Sequence, residues 1–326
     1  MILVTGATGF IGEQLTRRLL TLGEPVRVLA RTPAKVGAVF GPLAAHLDVA
    51  PGELGDRASL RRAVEGVDRV YHCASWIAYK APWDQVWQVN VQGAVNLLDA
   101  CLDAGVRRVV HMSSIAAGGP AVALPGGGWR SRTEDDPPAP LNDPYGLSKR
   151  QQEDVVLAYN GQGLEAVVVR PGAVFGPGDP AGINTLLKLI VRRQLPFYLG
   201  ARETPVNVVP VKDVVAGCVA AMERGRPGGV YNLVGPDVSQ QELFALLAEV
   251  SGGRAPSWSM PVPVLLGLAH LVAAVARRKP PVHPNDIRSW TAPWAASGEK
   301  ARTELGLEPS DLREAWAETL TYLTRV

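Results

Sequence analysis

Cysteine is scarce in this chain: Cys73, Cys101 and Cys218 are the three in 326 residues, too few and too scattered for a disulfide framework or a four-ligand zinc site. A surplus of one charge is missing too. Lys plus Arg number 33 against 31 Asp plus Glu, a net +2, so the whole-chain balance gives no strong case for nucleic acid or an anionic membrane as partner. The five histidines, His46, His72, His111, His270 and His283, show no metal-ligand spacing, and no metal is expected. Asp99 and Asp103, four apart on a helix with no third ligand, read as solvated charge. Met1-Ile2-Leu3-Val4-Thr5 has neither a basic segment nor a cleavable apolar run, so a reducing cytoplasm is the default expectation. With 47% hydrophobic and 20% charged residues, the chain falls in the soluble globular class, and at roughly 150 residues per domain it holds about two domains. A small-molecule partner fits this balance.

Short β-branched runs alternate with helix-period segments over the first two hundred residues. Strands are predicted at 2–5, 26–30, 47–50, 69–73, 108–112 and 166–170, nearly all apolar, as strands covered on both faces should be. Helices are predicted at 10–22, 56–65, 83–104 and 144–159, the first three closed by Gly23, Gly66 and Gly105. The fold class expected is α/β, a doubly wound parallel-sheet Rossmann fold with a smaller, mostly helical C-terminal substrate region. Residues 1–174 would form the dinucleotide-binding domain, 206–234 would return to it, and 175–205 with 235–326 would bind substrate. Residues 117–144, rich in Gly, Pro and Asp, read as a long functional loop. Later helices are expected at 183–193, 211–223, 240–250, 262–278 and 312–323, with strands near 206–209 and 230–233.

Thr5-Gly6-Ala7-Thr8-Gly9-Phe10-Ile11-Gly12 follows an apolar strand and opens a helix. Gly6 permits the tight turn, Gly9 lets backbone approach a pyrophosphate and Gly12 lets helix and strand pack closely. The helix N-terminus then presents N–H groups to the anion. NAD enzymes carry a carboxylate for the ribose 2′-hydroxyl about 20 residues on. Here Arg31 stands in that place, and no carboxylate occurs between Glu24 and Asp48. Arg31 is suited to a 2′-phosphate, which favours NADP over NAD. Glu53 and Leu54, just past the third strand, either meet the adenine edge or are ordinary loop residues.

Tyr145 and Lys149 are four apart near the start of a predicted helix and share one face. An ammonium beside a phenol stabilises the phenolate and lowers its pKa from about 10. Lys149 also suits a nicotinamide ribose. Ser114, at the carboxyl end of the fifth strand, supplies a hydroxyl for the substrate oxygen, with Ser113 as the competing choice.

These motifs, together with His111-Met112-Ser113-Ser114, Pro144-Tyr145-Gly146-Leu147-Ser148-Lys149, Arg170-Pro171-Gly172-Ala173-Val174-Phe175-Gly176-Pro177-Gly178-Asp179 and Asn90-Val91-Gln92-Gly93, resemble the extended short-chain dehydrogenase/reductase family over almost the whole chain. The resemblance extends to its dihydroflavonol reductase and 3β-hydroxysteroid dehydrogenase branch and to hopanoid-associated sugar epimerases. It implies Ser114, Tyr145 and Lys149 as catalytic trio, Asn90 as a supporting polar residue, and Cys73, Ala74, Ser75 and Pro171 along the cofactor cleft. Cys73 itself reads as a small filler rather than a nucleophile. Helices 91–104 and 146–160 resemble the pair through which members dimerise, so a homodimer is expected. The family's His before the Val-x-Asp-Val stretch is missing at Val209-Pro210-Val211-Lys212-Asp213-Val214, which leaves its substrate-positioning role without a carrier.

Trp76, Tyr79, Phe175, Ile183, Leu187, Tyr198, Trp258 and Trp290 are candidate pocket residues for an apolar substrate, while Trp83 and Trp87, four apart, read as core. Arg192, Arg193 and Arg202 are the counter-indication, suited to a nucleotide-sugar diphosphate. The uncharged run 255–276 reads as a helix covering the cleft in preference to an interfacial membrane helix. The first expectation is therefore an NADP-dependent carbonyl/alcohol oxidoreductase. The alternatives are a nucleotide-sugar epimerase and a non-catalytic NADP-binding regulator; Ile115-Ala116-Ala117, where a dehydratase needs an acidic pair, weighs against dehydration.

Overall fold

The apolar runs of the first half are strands covered on both faces: Ile2 and Val4 join one buried layer and Leu3 the other, and Val110 and Val109 divide the same way. The computed structural model describes residues 1–77, 81–141, 143–179, 183–275 and 284–325. Its elements begin β1 (Ile2–Thr5), α1 (Phe10–Thr21), β2 (Val26–Ala30), α2 (Ala34–Phe40), β3 (Leu47–Pro51), α3 (Arg57–Val64), β4 (Arg69–His72), α4 (Trp83–Trp87), α5 (Gly93–Asp103) and β5 (Arg108–Met112). There follow α6 (Ile115–Gly118), β6 (Val122–Ala123), β7 (Trp129–Arg130), α7 (Pro144–Ala158), β8 (Glu165–Pro171), β9 (Ala173–Phe175), α8 (Asn184–Val191), β10 (Phe197–Leu199), β11 (Pro205–Pro210), α9 (Val211–Arg224) and β12 (Val230–Leu233). The chain closes with β13 (Asp237–Ser239), α10 (Gln240–Ser251), β14 (Trp258–Met260), α11 (Val262–Val275), α12 (Pro284–Thr291), α13 (Glu299–Leu305) and α14 (Leu312–Arg325).

Seven strands form one sheet in the order β12-β8-β5-β4-β1-β2-β3, and every neighbouring pair is parallel. This is a doubly wound, Rossmann-like α/β fold. The order reverses between β1 and β4, and the crevice outside the carboxyl ends of those strands is where ligands bind in such sheets. Leu15 and Leu19 of α1 and Val214 and Cys218 of α9 cover one face. Leu60 of α3, Leu97 of α5 and Val156 of α7 cover the other. After β8 the chain builds a smaller, largely helical region on the three-stranded sheet β13-β11-β9, then sends α9 and β12 back to the large sheet.

Two expectations change in shape. The helix predicted over 83–104 is two α-helices joined by a π-helical turn, Gln88–Gln92, whose wider winding puts Asn90 inside. The long loop 117–144 contains the end of α6 and the antiparallel hairpin β6–β7, elements too short to leave a period in the sequence.

Candidate active site

The glycine turn lies in the crevice between β1 and β4. Gly6 has φ +72°, and a Cβ there would sit 2.7 Å from the Ala74 amide nitrogen, so only glycine lets the two loops touch. A Cβ on Gly12 would stand 2.2 Å from the Gly6 carbonyl oxygen, which fixes how closely α1 packs on the turn. Helix α1 opens at Gly9 with no side-chain cap, and its first-turn N–H groups suit an anion. Thr8 is half-buried, and Phe10 and Ile11 pack against the core below. Thr5 Oγ1 hydrogen-bonds His72 Nδ1 at 2.8 Å and accepts from the Ala74 amide at 3.3 Å, tying the turn to the half-buried Cys73-Ala74-Ser75 stretch. The residues fit a dinucleotide: backbone lines the turn where a side chain would fill it.

Arg31 is exposed just past β2 and makes no ion pair among the described residues. Arg27, by contrast, is held by Asp48 at 2.7 Å and by the Ala63 and Glu65 carbonyls. Glu53 and Leu54 are fixed from the side: the Glu53 amide donates to Ser59 Oγ at 3.3 Å, and Asn96 Nδ2 donates to the Leu54 carbonyl at 3.0 Å. Pro171, at the end of β8, is buried.

Asp143 caps α7 by accepting from the Gly146 amide at 2.7 Å, with Pro144 opening the helix. This places Tyr145 and Lys149 on successive turns, both buried. Ser114 caps α6, accepting from the Ala116 amide at 3.2 Å, and its hydroxyl stands near enough to the Tyr145 phenol to pull the phenol's pKa down. Ser113 turns the other way and donates to Glu153 Oε1 at 2.5 Å. The two hydroxyls that the sequence leaves as rivals thus face opposite sides, and Ser114 is the one beside Tyr145.

Electrostatics departs from the sequence expectation. Burial pushes the Tyr145 phenol up to about 12, against the pull of Ser114 and with help from the Asp143 charge. Lys149 does not lower it here: its ammonium donates to the Met112 carbonyl at 2.8 Å. Burial brings Lys149 itself down to about 8, opposed by Glu153 and Cys73. The Cys73 thiol is raised to about 12 by desolvation, in keeping with a filler.

Asn90 is a clamp. Its Oδ1 accepts from the Trp76 amide at 2.8 Å, and its Nδ2 donates to the Trp76 carbonyl at 3.1 Å and to Ser148 Oγ at 3.0 Å. Gln152 Nε2 donates to the Asn90 carbonyl at 2.9 Å. The loop after β4 is thereby fastened to α7 behind the site.

The structure shows a partner for one group the sequence reading passed over, Glu153, and the surroundings of two it weighed only as metal ligands, His72 and His111. Glu153 is gripped by Arg170 through Nε at 2.8 Å and the guanidinium end at 2.5 Å, a buried pair beneath Ser113. Its place four residues after Lys149 on α7 was the available signal. His72 and His111 are cross-strand partners, ring centroids 5.1 Å apart, with His72 Nε2 and both His111 nitrogens lacking hydrogen bonds among the described residues. Burial, and then the Lys149 charge, lowers both, His72 to about 3.

The pocket aromatics divide. Phe175 stacks on Trp316 at 3.6 Å, Tyr198 stacks on Phe244, and Leu187 is fully buried with them: these three are core of the smaller region, not pocket lining, because their own cluster needs them. Ile183 packs against that core. Trp76, Trp258 and Trp290 are exposed, Trp83 and Trp87 are only half-buried around Val86, and Tyr79 lies outside the described residues. Arg192 and Arg193 are exposed and Arg202 pairs with Glu203. Among the described residues no group of three or more His, Cys, Asp or Glu could hold a metal ion.

Residues 2–234 match the model of the NAD dependent epimerase/dehydratase family. The chain is 34% identical to "Sterol demethylase protein B" of Methylococcus capsulatus, over 98% of this chain and 97% of that one. It is 28% identical to "3 beta-hydroxysteroid dehydrogenase/Delta 5-->4-isomerase" of Mycobacterium tuberculosis, over 98% and 90%. The solved structure of MoeE5 in complex with UDP-glucose and NAD superposes with a TM-score of 0.74 at 27% identity, covering 99% and 98%. The chain belongs to the NAD dependent epimerase/dehydratase family, an enzyme family whose relatives here include named dehydrogenases.

Proposed function

We propose that this member of the family is an NADP-dependent oxidoreductase interconverting a carbonyl and a secondary alcohol on a mostly apolar small molecule. The observation that carries the reading is the meeting of three side chains at the carboxyl end of β5: Ser114 capping α6, with Tyr145 and, one turn along, Lys149 buried on α7. A nicotinamide cofactor, when bound, supplies the hydride for reduction. Tyr145, kept protonated by burial, gives its proton to the carbonyl oxygen, and Ser114 holds that oxygen by a hydrogen bond. In the oxidising direction Tyr145 takes the alcohol proton and must first lose its own, so that direction gains from higher pH. Lys149, held by the Met112 carbonyl, would donate to the nicotinamide ribose of a bound cofactor. The names of the sterol- and hydroxysteroid-related relatives support an apolar substrate.

Arg31, exposed where a carboxylate would serve NAD, supports NADP. Titration with NADPH and NADH tests it: Arg31→Asp should weaken NADPH by about tenfold or more and NADH far less, since attraction to a phosphate becomes repulsion. Equal or tighter NADH binding by the unmutated chain overturns the choice. A nucleotide-sugar epimerase is the second reading, favoured by the UDP-glucose and NAD bound to MoeE5. The pairing of Arg202 with Glu203 leaves that reading less cationic support. Turnover of a hydroxysteroid panel against UDP-glucose separates the two. A regulator without activity is disfavoured by the complete Ser114, Tyr145 and Lys149 set.

A further inference from the structure

Helix α11 has no charged side chain, and none occurs from residue 255 to 276. Its inward residues, Leu265 and Ala269, are buried with Ile287 of α12. The other side is open: Val264, Leu268, Leu271 and Val272 are 50%, 48%, 59% and 42% exposed. Spacings of four, three and one set these on one face. A helix covering the cleft explains the inward row and leaves this outward row unexplained. Contiguous apolar surface of this kind marks a contact site, and Trp258 on β14 and Trp290 on α12 are exposed as well.

Charge decides what the contact is. Residues 252–298 hold five cations, Arg254, Arg277, Arg278, Lys279 and Arg288, against one carboxylate, Asp286. That surplus of four exceeds the +2 of the whole chain, so the remainder is net acidic and the near-neutral total hides a basic region. Two copies joined through this face would bring like surpluses together. An anionic lipid surface would meet them with the opposite sign. At 14 residues α11 is about 21 Å long, short of the roughly 30 Å hydrocarbon core, and no helix among the described residues is long and apolar enough to cross a membrane. We propose that the exposed face of α11 docks on the surface of an anionic bilayer, lying in its plane with Val264, Leu268, Leu271 and Val272 in the headgroup–acyl boundary, the cationic surplus of the flanking sequence favouring anionic lipid.

Docking needs neither cofactor nor substrate, so its test is independent of the redox reading. The full chain is sedimented with vesicles of phosphatidylcholine alone and of phosphatidylcholine mixed with phosphatidylglycerol. Binding is expected to the mixed vesicles and weakly to the neutral ones. Leu268→Asp and Leu271→Asp should each lower it about tenfold or more with an unchanged circular dichroism spectrum. Leu271→Ser serves if either aspartate variant fails to fold, and Leu124→Asp, at an exposed apolar position elsewhere, should bind as the unmutated chain does. Failure to bind the mixed vesicles overturns the proposal, as does binding that the α11 variants leave intact. A concentration-dependent dimer that Leu268→Asp dissolves would assign the face to a second copy and overturn it equally.

Discussion

Helices α7 and α11 depart in opposite directions from the usual division between a helix's inner and outer faces. Along α7 the interior takes Tyr145, Ser148, Lys149, Gln152 and Glu153, although Lys and Glu are seldom fully buried without partners. Along α11 the exterior takes Val264, Leu268 and Leu271. The buried groups of α7 have partners inside the chain: Lys149 donates to the Met112 carbonyl, Ser148 to the Tyr145 carbonyl and Gln152 to that of Asn90, while Glu153 faces Arg170. The exposed row of α11 has no such cover among the described residues. Polar groups inside are read through the atoms that satisfy them, whereas an apolar row outside is read through the charge of its surroundings.

The largest effect expected is on the polar interior of α7. Glu153→Ala removes the partner of a buried Arg170 and the acceptor of Ser113. Breaking a buried pair from one side leaves an uncompensated charge and costs about 3–5 kcal/mol. Urea unfolding at neutral pH measures it. A loss below about 1 kcal/mol would mean that the pair behaves as a surface ion pair, and α7 would then lose its contrast with α11.

Next comes the chemistry on the same helix. Tyr145→Phe keeps the buried ring and removes the proton, so turnover should fall about a hundredfold or more, close to 2.7 kcal/mol in barrier, with cofactor affinity little changed. Ser114→Ala should also slow turnover, and Ser113→Ala, whose hydroxyl faces Glu153, should act on stability instead. Steady-state rates and cofactor titration on each variant check this. Near-normal turnover by Tyr145→Phe would reduce the site to a likeness of fold.

What the sequence made legible follows from the same contrast. Strands such as Val26–Ala30 and Arg108–Met112 could be read because covering on two faces leaves an unbroken apolar run. The glycine turn was readable because close backbone contacts at Gly6 and Gly12 forbid any other residue. Tyr145 and Lys149 were readable from a local spacing. The pocket was not: whether Phe175 lines a cleft or stacks on Trp316 depends on a partner 141 positions away, and no periodicity records that. The π-helical turn that buries Asn90 differs from α-helix by its winding alone. The phenol's shift was misjudged because spacing puts Lys149 near Tyr145, while the Met112 carbonyl, brought in by β5, takes the ammonium.

The smallest expected effect concerns the histidine pair beside Lys149. Burial holds His72 near 3 and His111 well below its usual value, whereas an unfolded chain returns both to about 6.5. At pH 7 both states are neutral at these positions and neither histidine contributes. Below about 6.5 the unfolded chain takes up protons that the fold refuses, so stability falls as pH falls, and for His72 the loss continues to about pH 3. At pH 5 this amounts to about 2 kcal/mol for His72, and His111 acts in the same direction. Replacing His111 by leucine deletes one of the two while keeping an apolar side chain on β5. The difference in urea stability between pH 7 and pH 5, taken within each protein so that packing changes and the ordinary carboxylates cancel, should therefore shrink in His111→Leu. An equal drop in both proteins would mean that His111 titrates in the fold as it does in water. The interior behind α7 would then be wet, and the contrast with the exposed face of α11 would rest on Glu153 and Lys149 alone.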